Sequence, residues 1–371
     1  MSFSFNFVVD ESGDDISMNL STDTITTDSN NNHDNNDNNH LRPAKIHKFS
    51  DNPQHKQRIE HLLQNAHHHS HIFKIETIKI PHANINYEGP PLKKVTLLSS
   101  SSLHSSNSPI TQLLFSDTDH QHEDTPSVLQ QLEKSDLIAG KYEGGFKLWE
   151  CSFDVIQYLI EQSSSGSTVG ELPPTSSNEK NSYLKDKVVL ECGCGHGLPG
   201  LFAIHQGAQR VDFQDYNSEV ISSLTMMNVV LTGEQRAIES SVFYSGDWQL
   251  LMTSDGEIDG GENGVNKSEN SGGKRSSSVA VPKQSYDLIL TSDTLYHTSS
   301  HDKLYRFMKH VLKPDGEILV AAKRYYFGCG GGVHDFKMLV ERDGVMDVRT
   351  VREFTDGQSN VREILSLKFK K

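Results

Sequence analysis

The sequence predicts an α/β fold, a Rossmann-like, mostly parallel sheet with helices on both faces, preceded by a long low-complexity region. Three observations predict it. Short apolar runs alternate with helix-period stretches between Lys187 and Glu341, the pattern of strand–helix–strand units whose strands lie parallel. The chain closes on two strand-like runs, Met346 to Phe354 and Val361 to Phe369, joined only by a turn; such neighbours pair antiparallel. A glycine-rich turn follows the first strand, where open α/β sheets hold their ligands.

Residues 1–130 are expected to be mostly disordered, with asparagine, histidine and serine tracts at 28–40, 67–71 and 99–108. Two islands, 72–80 and 95–98, alternate like short strands or docking peptides. The folded domain is expected over 135–371. Ser152 is a candidate N-cap for a helix in which Phe153, Ile156, Leu159 and Ile160 recur with helical period. A Ser/Gly/Pro-rich linker spans 163–181. Then follow a strand at 187–191, a helix at 198–206 with Pro199 in its first turn, a strand at 210–215 and a helix at 218–231. Strands at 241–245 and 286–292 flank a polar insertion, 254–284, read as disordered. A helix at 302–312, a strand at 316–323 and a helix at 333–341 precede the closing pair.

The chain has 371 residues, a formal net charge of −14 and 35% apolar residues. The low apolar share fits one domain with unfolded attachments. The negative charge argues against direct DNA binding and leaves a basic protein partner open. The four cysteines, Cys151, Cys192, Cys194 and Cys329, lack zinc-ribbon spacing, so no metal site is expected and reduced thiols are. No run is long enough to span a membrane, and the acidic N-terminus does not read as a secretion signal. An intracellular monomer, resident in cytoplasm and nucleus, is the expectation.

The turn VVLECGCGHGLPG (188–200) has two spellings. Gly195, Gly197 and Gly200 form a dinucleotide-type G-x-G-x-x-G, while Gly193, Gly195 and Gly197 form a tighter repeat behind Glu191. Both use glycines to bring backbone and helix N–H groups close to a ligand. Glu191 would repel a pyrophosphate and suits a sulfonium with its ammonium group. The closing hairpin and the lack of a following substrate domain also favour S-adenosylmethionine over a nicotinamide. Asp215, ending the second strand, would accept from ribose hydroxyls. Gly246, Asp247 and Trp248 fit an adenine environment, with Asp247 on the exocyclic amine and Trp248 walling the ring.

The blocks GKYEGGFKLWECSFDVIQYL (140–159), ECGCGHGLPG (191–200), FQDYN (213–217), SDTLY (292–296) and YYFGCGGGVHDF (325–336) together resemble the histidine protein methyltransferases. These are class I methyltransferases of the family-16-like group. The resemblance implies a sheet of order 3-2-1-4-5-7-6 with the seventh strand antiparallel. It implies S-adenosylmethionine as methyl donor, and as substrate a histidine of ribosomal protein number three of the large subunit, modified on the nitrogen distal to the backbone (tele). It places Leu148, Trp149, Glu150, Cys151 and Ser152 along the cofactor pocket. With them stand Glu191, Gly193, Gly195, Gly197, Leu198, Gln214, Asp215, Tyr216, Asn217, Gly246, Asp247, Trp248 and Ser292. Two positions depart from the pattern: Glu191 stands where aspartate is frequent, and Asp293 where glutamate is common.

A neutral imidazole attacks a sulfonium methyl in line, so the enzyme mainly aligns the reactants and holds the proton on the other ring nitrogen. Asp293 is the candidate orienting acceptor, with Tyr296 or His297 a second contact. The loop 328–333 is expected to shape the mouth of the site. A lysine or small-molecule methyltransferase, a ribosomal-protein chaperone and a dehydrogenase are the rival readings; lysine would demand a stronger deprotonating arrangement.

Overall fold

The computed structural model describes residues 42–68, 73–79, 92–97, 143–164, 183–252, 279–355 and 360–371. The tracts at 28–40 and 99–108 and most of the 163–181 linker lie outside them. The strands are β1 (Lys45–His47), β2 (Phe73–Thr77), β3 (Lys93–Leu97), β4 (Val188–Cys192), β5 (Arg210–Asp215), β6 (Phe243–Ser245), β7 (Tyr286–Ser292), β8 (Leu312–Lys323), β9 (Met346–Phe354) and β10 (Arg362–Phe369).

One sheet runs β1-β6-β5-β4-β7-β8-β10-β9. Strands β4 to β8 are parallel, and β10 lies antiparallel between β8 and β9. Numbered from β4, this is the expected 3-2-1-4-5-7-6 order, with β1 added antiparallel beside β6. The sheet's two faces follow from alternation along single strands. Val189, Leu288, Leu290 and Leu319 enter one core, whereas Leu190, Ile289, Ile318 and Val320 enter the other.

Helices α1 (Pro53–Gln64), α2 (Cys151–Ser164) and α3 (Leu198–His205) contribute to the first core. So does α4, which begins as Ser218–Val220, passes through a π turn at Ile221–Thr225 and ends as Met226–Leu231. After α5 (Gln235–Ser240), the second core takes α6 (Trp248–Met252), α7 (Thr298–Val311) and α8 (Val333–Asp343).

Three expectations need correction. The expected disorder of 1–130 does not extend to 42–68, which form β1 and α1. Ile59 and Leu62 of α1 are buried, and each contributes about 1.5–3 kcal/mol relative to exposure. Asn52 caps this helix by accepting from the His55 N–H (2.9 Å). The end of the expected insertion is also packed: Val281 is buried and donates its N–H to the Leu251 carbonyl (2.9 Å). Residues 253–278 lie outside the described part. Finally, α2 starts at Cys151, so Ser152 is not its N-cap; the Ser152 hydroxyl bonds that of Ser292 instead (3.0 Å).

The two islands become an antiparallel pair, β2 with β3. This hairpin docks on α4, where the Asn228 side chain accepts from the Val95 N–H (2.7 Å) and donates to the His196 carbonyl (2.9 Å).

Candidate functional site

The carboxyl ends of β4, β5, β6 and β7 converge, and each strand delivers a carboxylate there. Each of these carboxylates accepts a backbone N–H at the entry to a helix, where N–H groups have no intrahelical partner. Glu191 takes the N–H of Gly200 in α3 (2.7 Å). Asp215 takes that of Asn217, the N-cap of α4 (3.1 Å), and Asp247 that of Gln249 in α6 (2.8 Å). Asp293 takes that of Cys151, which opens α2 (2.9 Å). Residues read from the sequence as ligand contacts therefore also build the frame.

The glycine turn between β4 and α3 has positive φ at Gly193, Gly195 and Gly197. It is tied down by Asp215, which accepts from the Gly195 N–H (2.9 Å), and by Thr225, whose hydroxyl donates to the Gly195 carbonyl (2.7 Å). The π turn of α4 holds Thr225 in that position; such turns collect at functional sites. A side chain at Gly200 would meet the Phe213 ring at 2.4 Å, so this last glycine serves helix–strand packing.

Burial pushes the Asp215 carboxyl up to about 6, against the N–H groups of Asn217 and Gly195 that lower it. Glu191 is 1% exposed, and burial pushes it up to about 8 despite the Gly200 N–H. Burial thus favours its protonated form, which weakens the repulsion expected between Glu191 and a pyrophosphate. The sheet order, not a charge at 191, distinguishes the two cofactor readings.

Segment 143–149 lies across the turn. A side chain at Gly195 would strike the Gly145 carbonyl (2.9 Å), and one at Gly145 the Asp215 carboxylate (3.2 Å). Glu143 is anchored by its N–H to the Asn217 side chain (3.1 Å), and its carboxylate accepts from the Tyr296 hydroxyl. The Trp149 indole donates to the Gly144 carbonyl (3.0 Å), and Leu148 packs against the core. Beyond β6, the Trp248 indole donates to Gln214 (2.7 Å), whose amide donates to the Gly246 carbonyl (3.1 Å). Asp247 is also held by Lys303 (3.2 Å), so both of its oxygens are engaged by the chain.

Asp293 departs furthest from its expected role. It is 7% exposed with φ +56°. Its second oxygen accepts from the Tyr326 hydroxyl (2.7 Å), and burial raises its carboxyl while the nearby Lys323 opposes that. Lys323 and Arg362 meet Glu150 (2.9 and 3.3 Å), and Arg362 forms a two-pronged pair with Asp154 (2.7 and 3.3 Å). This buried network fixes residues 150–154 to β8 and β10, and Asp293 belongs to it.

Tyr296, by contrast, is half-buried beside Glu143, and the His297 ring packs edge-on against it (5.1 Å). The glycine-rich loop is built onto this pair. Gly331 donates its N–H to the Tyr296 carbonyl (3.0 Å), and any side chain there would collide with the 295–296 backbone. Tyr325 and Phe327 project from the loop, 49% and 74% exposed. Glu143 was not singled out in the sequence, although the block around it was. Of the buried side-chain polar atoms without a hydrogen-bond partner among the described residues, two belong to this region, Glu191 Oε1 and His297 Nε2; native structures leave few such atoms unsatisfied.

These residues fit S-adenosylmethionine. Each Asp215 oxygen already accepts a backbone N–H and keeps a lone pair for a ribose hydroxyl; the turn offers close backbone approach, Trp248 offers a ring wall, and the orphaned Glu191 oxygen offers a polar contact. No group of three or more metal-ligating side chains occurs among the described residues. Cys151, Cys192 and Cys194 are buried free thiols and Cys329 is half-buried. No described helix is long and apolar enough to cross a membrane.

A family model described as lysine methyltransferase matches residues 265–327. A histidine protein methyltransferase 1 homolog of Dictyostelium discoideum is 39% identical over 236 residues, covering 64% of this chain and 61% of that protein. One of Bos taurus is 32% identical, covering 60% and 55%. The chain thus spans about three fifths of the relatives it matches. A crystal structure of a ribosomal protein L11 methylase from Lactobacillus delbrueckii subsp. bulgaricus is similar at 14% identity and TM-score 0.35, covering 61% of this chain and 81% of that one. On sheet order and glycine turn the chain has the class I methyltransferase fold, and in sequence it is similar to histidine protein methyltransferases.

Proposed function

We propose that this protein transfers a methyl group from S-adenosylmethionine to a histidine side chain of a protein, on the ring nitrogen distal to the backbone. The observation that carries the reaction class is the glycine turn, buttressed by Asp215, at the carboxyl ends of β4 and β5 in a sheet of this order. The choice of histidine is supported by the names of the relatives at 39% and 32% identity.

When bound, the cofactor supplies an electrophilic methyl group on sulfur. The chain's own residues then have two tasks, to hold that group still and to present the ring. Asp215 and the turn anchor the ribosyl and methionyl parts, and Gln214 and Trp248 wall the base. Tyr296 and Glu143 face the target. A carboxylate offers about four lone-pair sites, and that of Glu143 already accepts from the Tyr296 hydroxyl. It accepts the N–H of the proximal ring nitrogen, which fixes the tautomer and leaves the distal nitrogen bare for attack. Asp293, held by Cys151 and Tyr326, positions residues 150–152 and does not touch the ring. Among substrates, a large-subunit ribosomal protein is our reading; a net charge of −14 suits a basic partner.

Lysine methylation is the second reading, favoured by the description of the matching family model. An amine must lose a proton near pKa 10.4 before attack, whereas imidazole is mostly neutral already above about 6.5. The deciding experiment incubates the protein with labelled S-adenosylmethionine and an extract from cells lacking it, then maps the modified residue. Label on histidine is expected, and label on lysine sinks the proposal. With the substrate in hand, Glu143→Gln should lower kcat by about 10²-fold or more while leaving affinity for S-adenosylhomocysteine unchanged; an unaltered kcat removes Glu143 from the reaction.

A further inference from the structure

The segment Arg42–His47 lies upstream of every block that resembles a methyltransferase, yet it folds against the cofactor end of the sheet. Lys45, Ile46 and His47 pair with Ser245, Tyr244 and Phe243, and the His47 ring bonds the Ser245 hydroxyl (3.0 Å). Covering a sheet edge would account for that much. It does not account for Arg42, Pro43 and Ala44, which run on past the carboxyl end of β6 and cross the two loops that flank the nucleoside position.

Four contacts fix this strap. The Arg42 carbonyl accepts from the Asp247 N–H (3.3 Å). The Arg42 backbone lies beside the Tyr216 phenol and lowers its pKa, against the burial that raises it. The Arg42 guanidinium pairs with both oxygens of Glu219 in the first turn of α4 (3.0 and 3.2 Å). Pro43 and Ala44 pass so close to Gly246 that a β-carbon there would lie 2.6 Å from the Pro43 carbonyl and 2.8 Å from the Ala44 Cα. Gly246 has φ +116°, a conformation reserved for glycine. The loop after β5 contributes Tyr216 and the loop after β6 contributes Gly246 and Asp247, so one short segment touches both sides of the base-and-ribose position.

We infer that Arg42–Ala44 forms an outer wall of the adenosine subsite, so that a segment outside the methyltransferase blocks contributes to cofactor binding. This rests on S-adenosylmethionine being the cofactor. Arg42 acts as a positioning residue through Glu219 and the two loops. Removing a part-exposed ion pair of this kind corresponds to about two- to fivefold in an equilibrium constant.

The test uses the full chain and S-adenosylhomocysteine. Calorimetric titration of wild type, Arg42→Ala, Glu219→Gln and the double variant should show each single change raising Kd about two- to fivefold, the double adding nothing further, and the melting temperature without ligand nearly unchanged. Hydrogen exchange supplies a readout that needs no variant. The 42–47 amides should gain protection on ligand binding, whereas the β2–β3 hairpin, packed elsewhere on α4, should not. Wild-type binding with unaltered variants, or equal protection of strap and hairpin, overturns the wall. Absence of any binding by the wild type overturns the cofactor reading itself, and the wall with it.

Discussion

Replacing Glu191 by glutamine removes one titratable group from the centre of the sheet and nearly nothing else. The amide oxygen can still accept the Gly200 N–H, and the shape is kept. In the native state burial holds the carboxyl at about 8, whereas its ordinary value is 4.5. The folded protein therefore keeps a proton that the unfolded chain releases. The stability carried by that proton is fully present below pH ~4.5 and is lost progressively as pH rises through about 8. At 1.36 kcal/mol per unit, a difference of about 3.5 units corresponds to at most about 5 kcal/mol. Asp215 moves in the same direction and its charge adds to the rise at Glu191; present in both proteins, it enters their difference only through that coupling. Denaturant unfolding from pH 5 to 8.5 should find the two proteins similar at pH 5 and the variant more stable by several kcal/mol at pH 8.5. A difference that does not change with pH would show that Glu191 is ionised in the fold and would refute the reasoning.

Two further outcomes follow from the packing. Gly200→Ala should lose about 1–3 kcal/mol, because its β-carbon would sit 2.4 Å from Phe213 and 2.7 Å from the Glu191 carboxylate; a denaturation midpoint equal to wild type counts against the packing role of this glycine. Arg362→Ala should lose about 3–5 kcal/mol, since it strands Asp154 without its cation while Glu150 keeps Lys323. Lowering the pH should recover part of that loss as Asp154, already pushed up to about 6 by burial, takes up a proton, and a loss that is the same at pH 5 and pH 8 would contradict it.

Much of the sheet was legible because its strands are apolar and its helices periodic. VVLEC, RVDFQD and YDLILTS can pack nowhere but a sheet interior. The missed elements lack that signal. β1 is three residues joined to an edge through its backbone. α1 reads as polar and histidine-rich, with only His55, Ile59 and Leu62 buried. α7 opens a turn earlier than expected, at Thr298, over a polar stretch without periodicity.

The carboxylates at the strand ends were legible in the sequence, and their partners were not. Residue type says that a carboxylate stands at the end of a strand; it does not say whether the acceptor faces a ligand or a helix. Asp293 was assigned to substrate for lack of any sign that Cys151 and Tyr326, far away in sequence, would take both oxygens. Glu143 was overlooked because only the fold brings it to Tyr296.

The π turn in α4 sets a relation that composition does not reveal. A regular helix advances about 100° per residue, so the wider turn at Ile221–Thr225 leaves Met226–Leu231 out of phase with Ser218–Val220. Because of that offset a single helix presents Glu219 to the strap, Thr225 to the glycine turn and Asn228 to the hairpin. Loss of one codon within Ile221–Thr225 would make the helix more regular and leave its composition nearly untouched. Because the wider turn absorbs one residue, that loss would leave Asn228 facing Val95 and His196; what those residues encode together is an angle.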